Sequence, residues 1–272
     1  MQKTTWLATL GMIFVLGVSR TEAQIINWTD RGFVNVNYGG QKQSLDFDTT
    51  KTFLLYRETA TLKARYGIDS GGLFDISGGA RVWRNVGVGI GFSRFQDPDD
   101  ITVEATVPHP VFFDRPRRLA AATTDVQHSQ SAVHIFGLWM YPVSDKIDVA
   151  FFGGPTIFNV RQDLVTDVQL APEQPPFTAT ITSVGQTEAK KSGVGVNVGV
   201  DVTYMLTQRL GAGWAALDWI GLGSGASLGA GAFLRYSGGS VDLDAEGVKV
   251  SLDVGGFQVG AGLRVRFQRL FP

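Results

Sequence analysis

The chain has 272 residues, no cysteine and a formal net charge of −1. The lack of cysteine excludes disulfides and thiolate metal sites, and the near-neutral charge leaves no basic surplus for binding nucleic acid. Hydrophobic residues make up 44% of the chain. Beyond the first residues, however, no run approaches the ~18 uninterrupted apolar residues of a transmembrane helix. The hydrophobicity is therefore distributed over short segments.

The first residues have the pattern of an export signal. Lys3 precedes an apolar run, Trp6–Val18, and small residues in Thr21-Glu22-Ala23 mark a cleavage point. The run is too short for a comfortable membrane-spanning helix. We therefore predict a signal peptide over residues 1–23 and one mature domain over residues 24–272.

Segments of alternating polarity fill much of the mature chain, as expected of strands that place successive side chains on opposite faces. In chain order they are Gly32–Gly40, Thr52–Tyr66, Leu73–Val82, Val86–Phe95, Ser131–Tyr141, Ile147–Val160, Gly193–Tyr204, Ala226–Ser237, Val248–Val254 and Phe257–Phe267. In Phe257–Phe267, the apolar side alternates with glycine, glutamine and arginine. Its length matches the roughly 9–11 residues that a tilted strand needs to cross a bilayer.

Short and long connections alternate between these segments. The short ones are Trp83–Asn85, Pro142–Lys146 and Thr207-Gln208, and the long ones are 96–130 and 161–191. The glycine-rich stretches Gly67–Gly72 and Gly238–Gly247 are predicted turns on the same side as the long loops. Short periplasmic turns and long extracellular loops are typical of transmembrane barrels. We predict an all-β, closed antiparallel transmembrane β-barrel in the outer membrane, with its apolar sides facing lipid.

The number of strands stays open between eight and ten. Eight strands from Thr52 onward satisfy the even-number rule, Gly32–Gly40 is a ninth, and a strand over Leu45–Leu55 makes ten. Residues 212–225 are interpreted as a non-strand excursion, because a strand there would move both long loops to the periplasmic side. At Gly255-Gly256 the apolar side changes from even to odd positions, which predicts either a β-bulge or two strands that meet.

Charges on the polar sides predict an ion-paired interior, because buried charges require partners. The predicted interior charges are Lys63, Arg65, Asp75, Arg81, Asp201, Arg235, Asp253, Arg264 and Arg266. Glycine-rich inner faces, such as Gly87, Gly89 and Gly91, are expected to leave room for long side chains from neighbouring strands. The interior is either a plug or a narrow pore with a charged selectivity ring.

Aromatic residues near the strand ends predict girdles at the level of the lipid headgroups. They are Tyr38, Tyr66, Trp83, Trp139, Tyr141, Tyr204 and Tyr236. The alternative is that they are ordinary aromatic residues of strands.

Catalytic chemistry has one candidate in this sequence. His128-Ser129 invites comparison with histidine–serine lipid deacylases built on barrels of this size, but no carboxylate is placed to orient the histidine. We therefore expect no enzymatic activity, no cofactor and no metal, with a deacylase-like enzyme as the alternative. His134 is interpreted as an interior hydrogen-bonding residue. The acidic residues Asp97, Asp99 and Asp100 and the basic residues Arg115, Arg117 and Arg118 are interpreted as solvated loops, the basic ones alternatively contacting lipopolysaccharide phosphates.

The chain resembles the small outer-membrane β-barrels of Gram-negative bacteria, the porin-like, opacity-type barrels. The resemblance lies in the signal peptide and in ARVWRNVGVGIGFSRF (Ala80–Phe95), FLRYSGGSVDL (Phe233–Leu243) and VGGFQVGAGLRVRF (Val254–Phe267). It implies a narrow channel or a structural or surface-recognition barrel, with outer-membrane lipid and lipopolysaccharide as surroundings. It also implies an aromatic signal, Phe267 or Phe271, that the barrel-assembly machinery reads. A soluble β-sandwich is the remaining alternative fold.

Overall fold

The computed structural model describes residues 27–171, 175, 177–207 and 226–268, with no statement on the side chains of residues 44, 97–100 and 122–125. The predicted signal peptide, the 212–225 excursion, the side chains of Asp97, Asp99 and Asp100, and Phe271 therefore lie outside the described residues. Within the described ranges, no helix is long and apolar enough to cross a membrane.

Eight antiparallel strands of the described residues close into a barrel, and the first strand pairs with the last. They are β1 (Gly32–Leu55), β2 (Glu58–Trp83), β3 (Val86–Val107), β4 (Arg117–Pro142), β5 (Ile147–Leu170), β6 (Ile181–Met205), β7 (Ala226–Ala245) and β8 (Val248–Phe267). Each strand pairs with its neighbours in sequence, so the topology is up-and-down. The prediction of a closed antiparallel barrel is confirmed, with the lower of the predicted strand numbers.

The strands are about twice as long as a membrane crossing requires. They have 20 to 26 residues, whereas about 9–11 suffice for a tilted transmembrane strand. The predicted long loops are therefore mostly strand: only residues 108–116 connect β3 to β4, and only residues 171–180 connect β5 to β6. We call the half of the barrel that carries the hairpin turns β1–β2, β3–β4, β5–β6 and β7–β8 the distal half. We call the half that holds the first residue of β1 and the last of β8 the basal half.

The first hairpin corrects two predictions. Its turn is Tyr56-Arg57, inside the predicted strand Thr52–Tyr66, and both residues have positive φ, 50° and 68°. A two-residue turn with two positive φ values matches the twist of a hairpin, although here it lacks the usual Asn-Gly signal. The predicted turn Gly67–Gly72 lies within β2, where pairing shifts register on both sides. The predicted strands Gly32–Gly40 and Leu45–Leu55 are two parts of β1.

The basal half has an apolar outside and a polar inside. Large apolar side chains face outward on every strand, including Val88, Ile90, Val194, Val198 and Val259. Val194 is 74% exposed and Val198 is 60% exposed. Together these side chains form an apolar belt that is too large for the surface of a soluble monomer. The inward positions hold buried asparagine, aspartate, histidine, threonine and arginine, together with an apolar cluster near the basal end. Backbone groups in hydrocarbon are satisfied only in helices and closed barrels, so this belt marks the membrane-spanning part.

The distal half has the opposite pattern, that of a water-soluble protein. Its interior is a continuous apolar cluster drawn from all eight strands, and Leu62, Val103, Phe158, Leu164 and Leu252 are among its buried members. Its outward positions are mostly threonine, serine and charged residues. The predicted lipid-facing side of Thr52–Tyr66, with Ala60, Leu62 and Ala64, was therefore wrong: these side chains point inward.

This reversal explains the change of parity near Gly255-Gly256. The β7–β8 pairing continues without a register shift from Ala226↔Phe267 to Ala245↔Val248. Even-numbered residues of β8 face inward throughout: Leu252 and Val254 in the distal half, Gln258 and Arg264 in the basal half. The predicted register-shifting bulge and the predicted junction of two strands were both wrong. The apolar residues change sides because the surroundings change from water to lipid.

Candidate functional site

The polar interior of the basal half is the candidate site that the sequence pointed to. Five of the predicted charges lie there, buried: Asp75, Asp201, Arg235, Arg264 and Arg266. Arg81 is half-buried near the basal end, where its guanidinium donates to the carbonyl of Trp28. These residues come from β2, β6, β7 and β8, so only closure of the barrel brings them together.

Three predicted interior charges lie outside instead. Lys63 and Arg65 are exposed on the outer face of β2, and Arg65 pairs with Asp48 at 3.2 Å between two highly exposed side chains. Asp253 is exposed on the outer face of β8. All three belong to the distal half, where water and not lipid surrounds the barrel, so charged residues face outward there.

Arg264 is the centre of one ion pair. Its guanidinium donates to both carboxylate oxygens of Asp201, from Nε at 3.1 Å and from Nη2 at 2.5 Å. Nη1 donates to the side-chain oxygen of Asn37. The arginine is fully buried. A bidentate arginine–carboxylate pair is among the stronger charge-assisted arrangements, and it holds β8 to β6 across the lumen.

Arg235 and Asp75 form a second buried pair. Nη2 of Arg235 lies 2.8 Å from Oδ2 of Asp75, with 3% and 4% of the two side chains exposed. Asn37 Nδ2 donates to the other oxygen of Asp75 at 2.9 Å. Because Asn37 contacts both Asp75 and Arg264, it links the two pairs into one network.

Neutral groups extend this network in a way that alternation alone did not reveal. His134 lies 2.9 Å from Ser93 Oγ and 2.9 Å from Thr156 Oγ1, in agreement with its interpretation as an interior hydrogen-bonding residue. Nearer the distal half, Gln258 donates to Gln41 Oε1 at 2.6 Å, and Gln41 donates to the carbonyl of Gly255 at 2.9 Å. Glutamines on inward strand positions were the only sequence signal for this cluster.

Apolar clusters of the described residues flank the network on both sides along the barrel axis. Towards the distal half lies the apolar cluster around Leu62 and Phe158. Towards the basal end lies a second cluster of Trp28, Phe33, Phe136, Leu138, Met140 and Ala150. Between them is a cavity of about 30 Å³ beside Asn37, Asp75, Arg235 and Arg266, which has room for one or two water molecules.

Several inner glycines make room for aromatic rings, although a Cβ on Gly231 would instead lie 2.8 Å from Nε of Arg264. A Cβ on Gly89 would lie 2.5 Å from the ring of Phe136, and one on Gly199 would lie 2.5 Å from the ring of Phe152. These aromatic rings fill the lumen near the basal end. The inner glycines were predicted to leave room for long side chains from neighbouring strands, and at Gly89 and Gly199 those side chains are phenylalanines.

Six of the seven predicted girdle aromatics are exposed on the outer face. Trp83, Trp139, Tyr141 and Tyr204 lie near the basal ends of their strands, and Tyr38 and Tyr236 lie near the other edge of the apolar belt. Tyr66 was wrongly assigned: it is 1% exposed and stacks on Phe47 with 4.5 Å between ring centroids. It belongs to the distal half, whose apolar side faces inward.

The catalytic candidate does not assemble. His128 is buried inside the barrel with Nδ1 2.7 Å from Gln162 Oε1, whereas Ser129, the next residue, has the outward parity of β4. Adjacent strand residues point to opposite faces, so the two cannot act as one pair. In the described part of the chain, no three histidine, cysteine or acidic residues are grouped closely enough to hold a metal ion.

A closed antiparallel barrel with a lipid-facing belt, aromatic residues at both edges and buried ion pairs in its interior defines an outer-membrane β-barrel protein. No protein-family model and no curated protein matches the chain.

The chain is similar in structure to small outer-membrane barrels that have been solved. Neisserial surface protein A is 12% identical, covering 87% of this chain and 97% of its own, with a TM-score of 0.39. The outer membrane protease OmpT from Escherichia coli is 8% identical, covering 90% and 99%, with a TM-score of 0.41. Ail of Yersinia pestis, in complex with the heparin analogue sucrose octasulfate, is 10% identical, covering 86% and 99%, with a TM-score of 0.35. At these values no residue role carries over to this chain, and the class rests on the barrel itself.

Proposed function

We propose that this protein is a closed, non-enzymatic outer-membrane barrel that displays its distal half as a surface-recognition platform. The observation that carries the proposal is the filled lumen. Apolar side chains occupy the interior of the distal half, and ion pairs and aromatic rings occupy the basal half. A conducting pore requires a continuous polar path, so the plug is favoured over the pore.

The distal half has the properties of a rigid support. Its strands stay paired to within two residues of the turns Tyr56-Arg57 and Glu246-Gly247. Lys51 on β1 pairs with Glu246 at 3.3 Å, and Glu246 also accepts a hydrogen bond from Thr187 on β6. Paired strands around an apolar core lose little entropy on binding, which favours recognition by a preorganised surface.

A non-enzymatic role is part of this proposal. His128 has Gln162 as its hydrogen-bonding partner and is enclosed by packed side chains, with the ring of Phe95 6.0 Å away. A catalytic histidine needs access to its substrate, and this one has none from the outer face of the barrel.

Outer-membrane lipid, including lipopolysaccharide, is the proposed environment of the belt. A basic collar lies two to four residues beyond the last lipid-facing side chains, on outward positions: Lys42, Arg94, Arg161 and Lys190. One of them, Lys190, also pairs with Glu188 at 2.5 Å. Cations at this level match the phosphates of an anionic outer leaflet.

Phe267 remains the proposed assembly signal. It is the last residue of β8 and pairs with Gly32 of β1 and Ala226 of β7, so it lies at the point where the barrel closes. We expect Phe267→Ala to slow folding by the assembly machinery more than it lowers the stability of the folded barrel.

Planar-bilayer recording tests the central proposal. The folded full-length protein should produce no discrete conductance steps, and a control bilayer with an established porin should. Reproducible steps that disappear when Arg235 and Asp75 are both replaced would establish the pore instead. An epitope inserted after Val111 tests the display: whole cells should bind the antibody without permeabilisation, and labelling only after lysis would reverse the orientation.

A further inference from the structure

The distal end carries large apolar side chains that are exposed, although water and not lipid surrounds this half of the barrel. Five large apolar residues are 43–78% exposed there, and we call them the tip patch: Leu54, Tyr56, Val111, Phe112 and Phe113. Elsewhere on the distal half the outward positions are mostly polar, as in Thr50, Thr52 and Thr59. An exposed apolar group on an otherwise soluble surface indicates an interaction site.

Hydrogen bonds hold the tip patch in this exposed arrangement. His109 Nδ1 accepts from the backbone N–H groups of Val111 at 3.1 Å and Phe112 at 3.2 Å. The N–H of Asp114 donates to Glu58 Oε1 at 2.9 Å, which joins the β3–β4 loop to the β1–β2 hairpin. The loop is therefore ordered with its aromatic side chains outward, and the patch includes two neighbouring hairpins.

The two hairpins that carry the tip patch have a surplus of positive charge. Residues 54–58 and 108–118 contain four arginines, Arg57, Arg115, Arg117 and Arg118, but only two carboxylates, Glu58 and Asp114. The guanidinium carbon of Arg115 lies 5.4 Å from the ring centroid of Phe112. Arg117 donates to the carbonyl of Pro108 in the same loop and to the carbonyl of Phe177 in the β5–β6 connection. The surface that the tip patch meets should therefore be apolar at its centre and anionic around it.

The bilayer in which the barrel sits is out of reach. Val107 lies 15 residues beyond Phe92, the last lipid-facing residue of β3. At ~3.3 Å per residue this is a path of ~50 Å, or roughly 35–40 Å of height at a strand tilt of ~40°. Arg115 and Arg118 are thus too distant to contact the phosphates at the edge of the apolar belt.

We propose that the tip patch inserts into the headgroup region of a second, apposed membrane that carries anionic lipid. This rests on the proposed function, since it names what the displayed surface recognises. The patch lies at the tips of two neighbouring hairpins, where exposed side chains can insert into a deformable lipid interface. Aromatic and aliphatic side chains flanked by arginine are the composition of such interfacial contacts, with the rings at the acyl boundary and the guanidinium groups on phosphates.

Vesicle co-sedimentation tests the proposal with the full-length barrel in nanodiscs. Sucrose-loaded vesicles of pure phosphatidylcholine and of phosphatidylcholine with phosphatidylserine at about 7:3 are compared at low and physiological salt, with empty nanodiscs as the blank. We expect preferential binding to the anionic vesicles that weakens as salt rises. The double substitution Phe112→Ser, Phe113→Ser should weaken binding roughly tenfold or more, since each ring buries apolar area on insertion.

Charge-reversal variants distinguish recognition of anionic lipid from non-specific hydrophobic adsorption. Arg115→Glu with Arg118→Glu should abolish the preference for anionic vesicles, whereas Lys63→Glu with Arg65→Glu, on the side of the barrel, should leave binding unchanged. Equal binding to both vesicle types, or no effect of either tip variant, overturns the proposal. If the barrel binds whole cells but not vesicles, and protease treatment of those cells abolishes the binding, the partner is a protein instead. Single-channel recording of the same nanodisc preparation tests the proposed function separately, because a conducting barrel could still bind vesicles.

Discussion

Removing one carboxylate from the interior should destabilise the barrel far more than removing one from its outer face. Asp75→Ala leaves the guanidinium of Arg235 buried without its partner, and Arg235 is 3% exposed. Breaking a buried pair from one side costs about 3–5 kcal/mol, because the remaining charge stays desolvated. Asp48→Ala is the matched control, since its pair with Arg65 is highly exposed. Exposed pairs contribute about 0–1 kcal/mol.

The double variant Asp75→Ala, Arg235→Met gives the second comparison. Replacing both partners removes the stranded charge, so most of the lost stability should return. About 2 kcal/mol should remain missing, because Asn37 and Gln258 each lose a hydrogen-bonding partner.

Equilibrium unfolding in guanidinium chloride with phospholipid vesicles, followed by tryptophan fluorescence, measures these differences, and heat-modifiable gel mobility reports the folded fraction. Equal losses for Asp75→Ala and Asp48→Ala would refute the ion-paired interior. A double variant as unstable as the single one would refute the stranded charge as the cause.

Other predictions test the reversal between the two halves and the distal contacts. Val198→Arg, at the middle of the lipid-facing belt, should lower the free energy of unfolding in vesicles by about 2–4 kcal/mol. Thr50→Arg on the distal outer face should change it by no more than ~0.5 kcal/mol. Equal losses for the two variants would contradict the assignment of the belt. Leu62→Ala should cost about 2–5 kcal/mol and make the distal half sensitive to proteases, while the exposed Leu54→Ala should have little effect; an unaffected Leu62→Ala barrel would mean that the distal half has no cooperative core. Hydrogen bonds from a lysine of β1 and a threonine of β6 hold the pKa of Glu246 below its ordinary value. Their stabilising effect should be present at neutral pH and lost as the pH falls through that lowered pKa. A carboxyl NMR titration with a midpoint at or above that of an unperturbed glutamate would contradict this contact.

Alternation was a sound guide to strands because it depends only on the two faces of a sheet. It placed Asp75, Arg235, Arg264 and Arg266 on one side of their strands, and the structure has all four inside the barrel. It could not report which side of a strand was the inside. In Thr52–Tyr66 the apolar side was assigned to lipid, whereas Leu62 and Tyr66 are buried in the lumen.

Local composition was equally ambiguous for the turn of the first hairpin, which was predicted at the wrong residues. Gly67–Gly72 has the composition of a turn, and nothing local distinguishes it from an irregular stretch of β2 that stays paired with β1 while its pairing with β3 is interrupted. The actual turn, Tyr56-Arg57, has side chains that carry no turn signal, so only the pairing of β1 with β2 identifies it. The contact between Asn37 and Arg264 depends likewise on closure, which brings together residues that are 227 positions apart in the sequence.

The sequence by itself determined that the chain is built of β-strands with one apolar and one polar side, because side-chain alternation is a property of each strand alone. Only the tertiary structure decided where the apolar side turns from lipid to lumen, because that depends on how far each strand extends beyond the bilayer. A valine is stable facing acyl chains in one half and packed in the centre in the other, and its position along the barrel axis is set by all eight strands together.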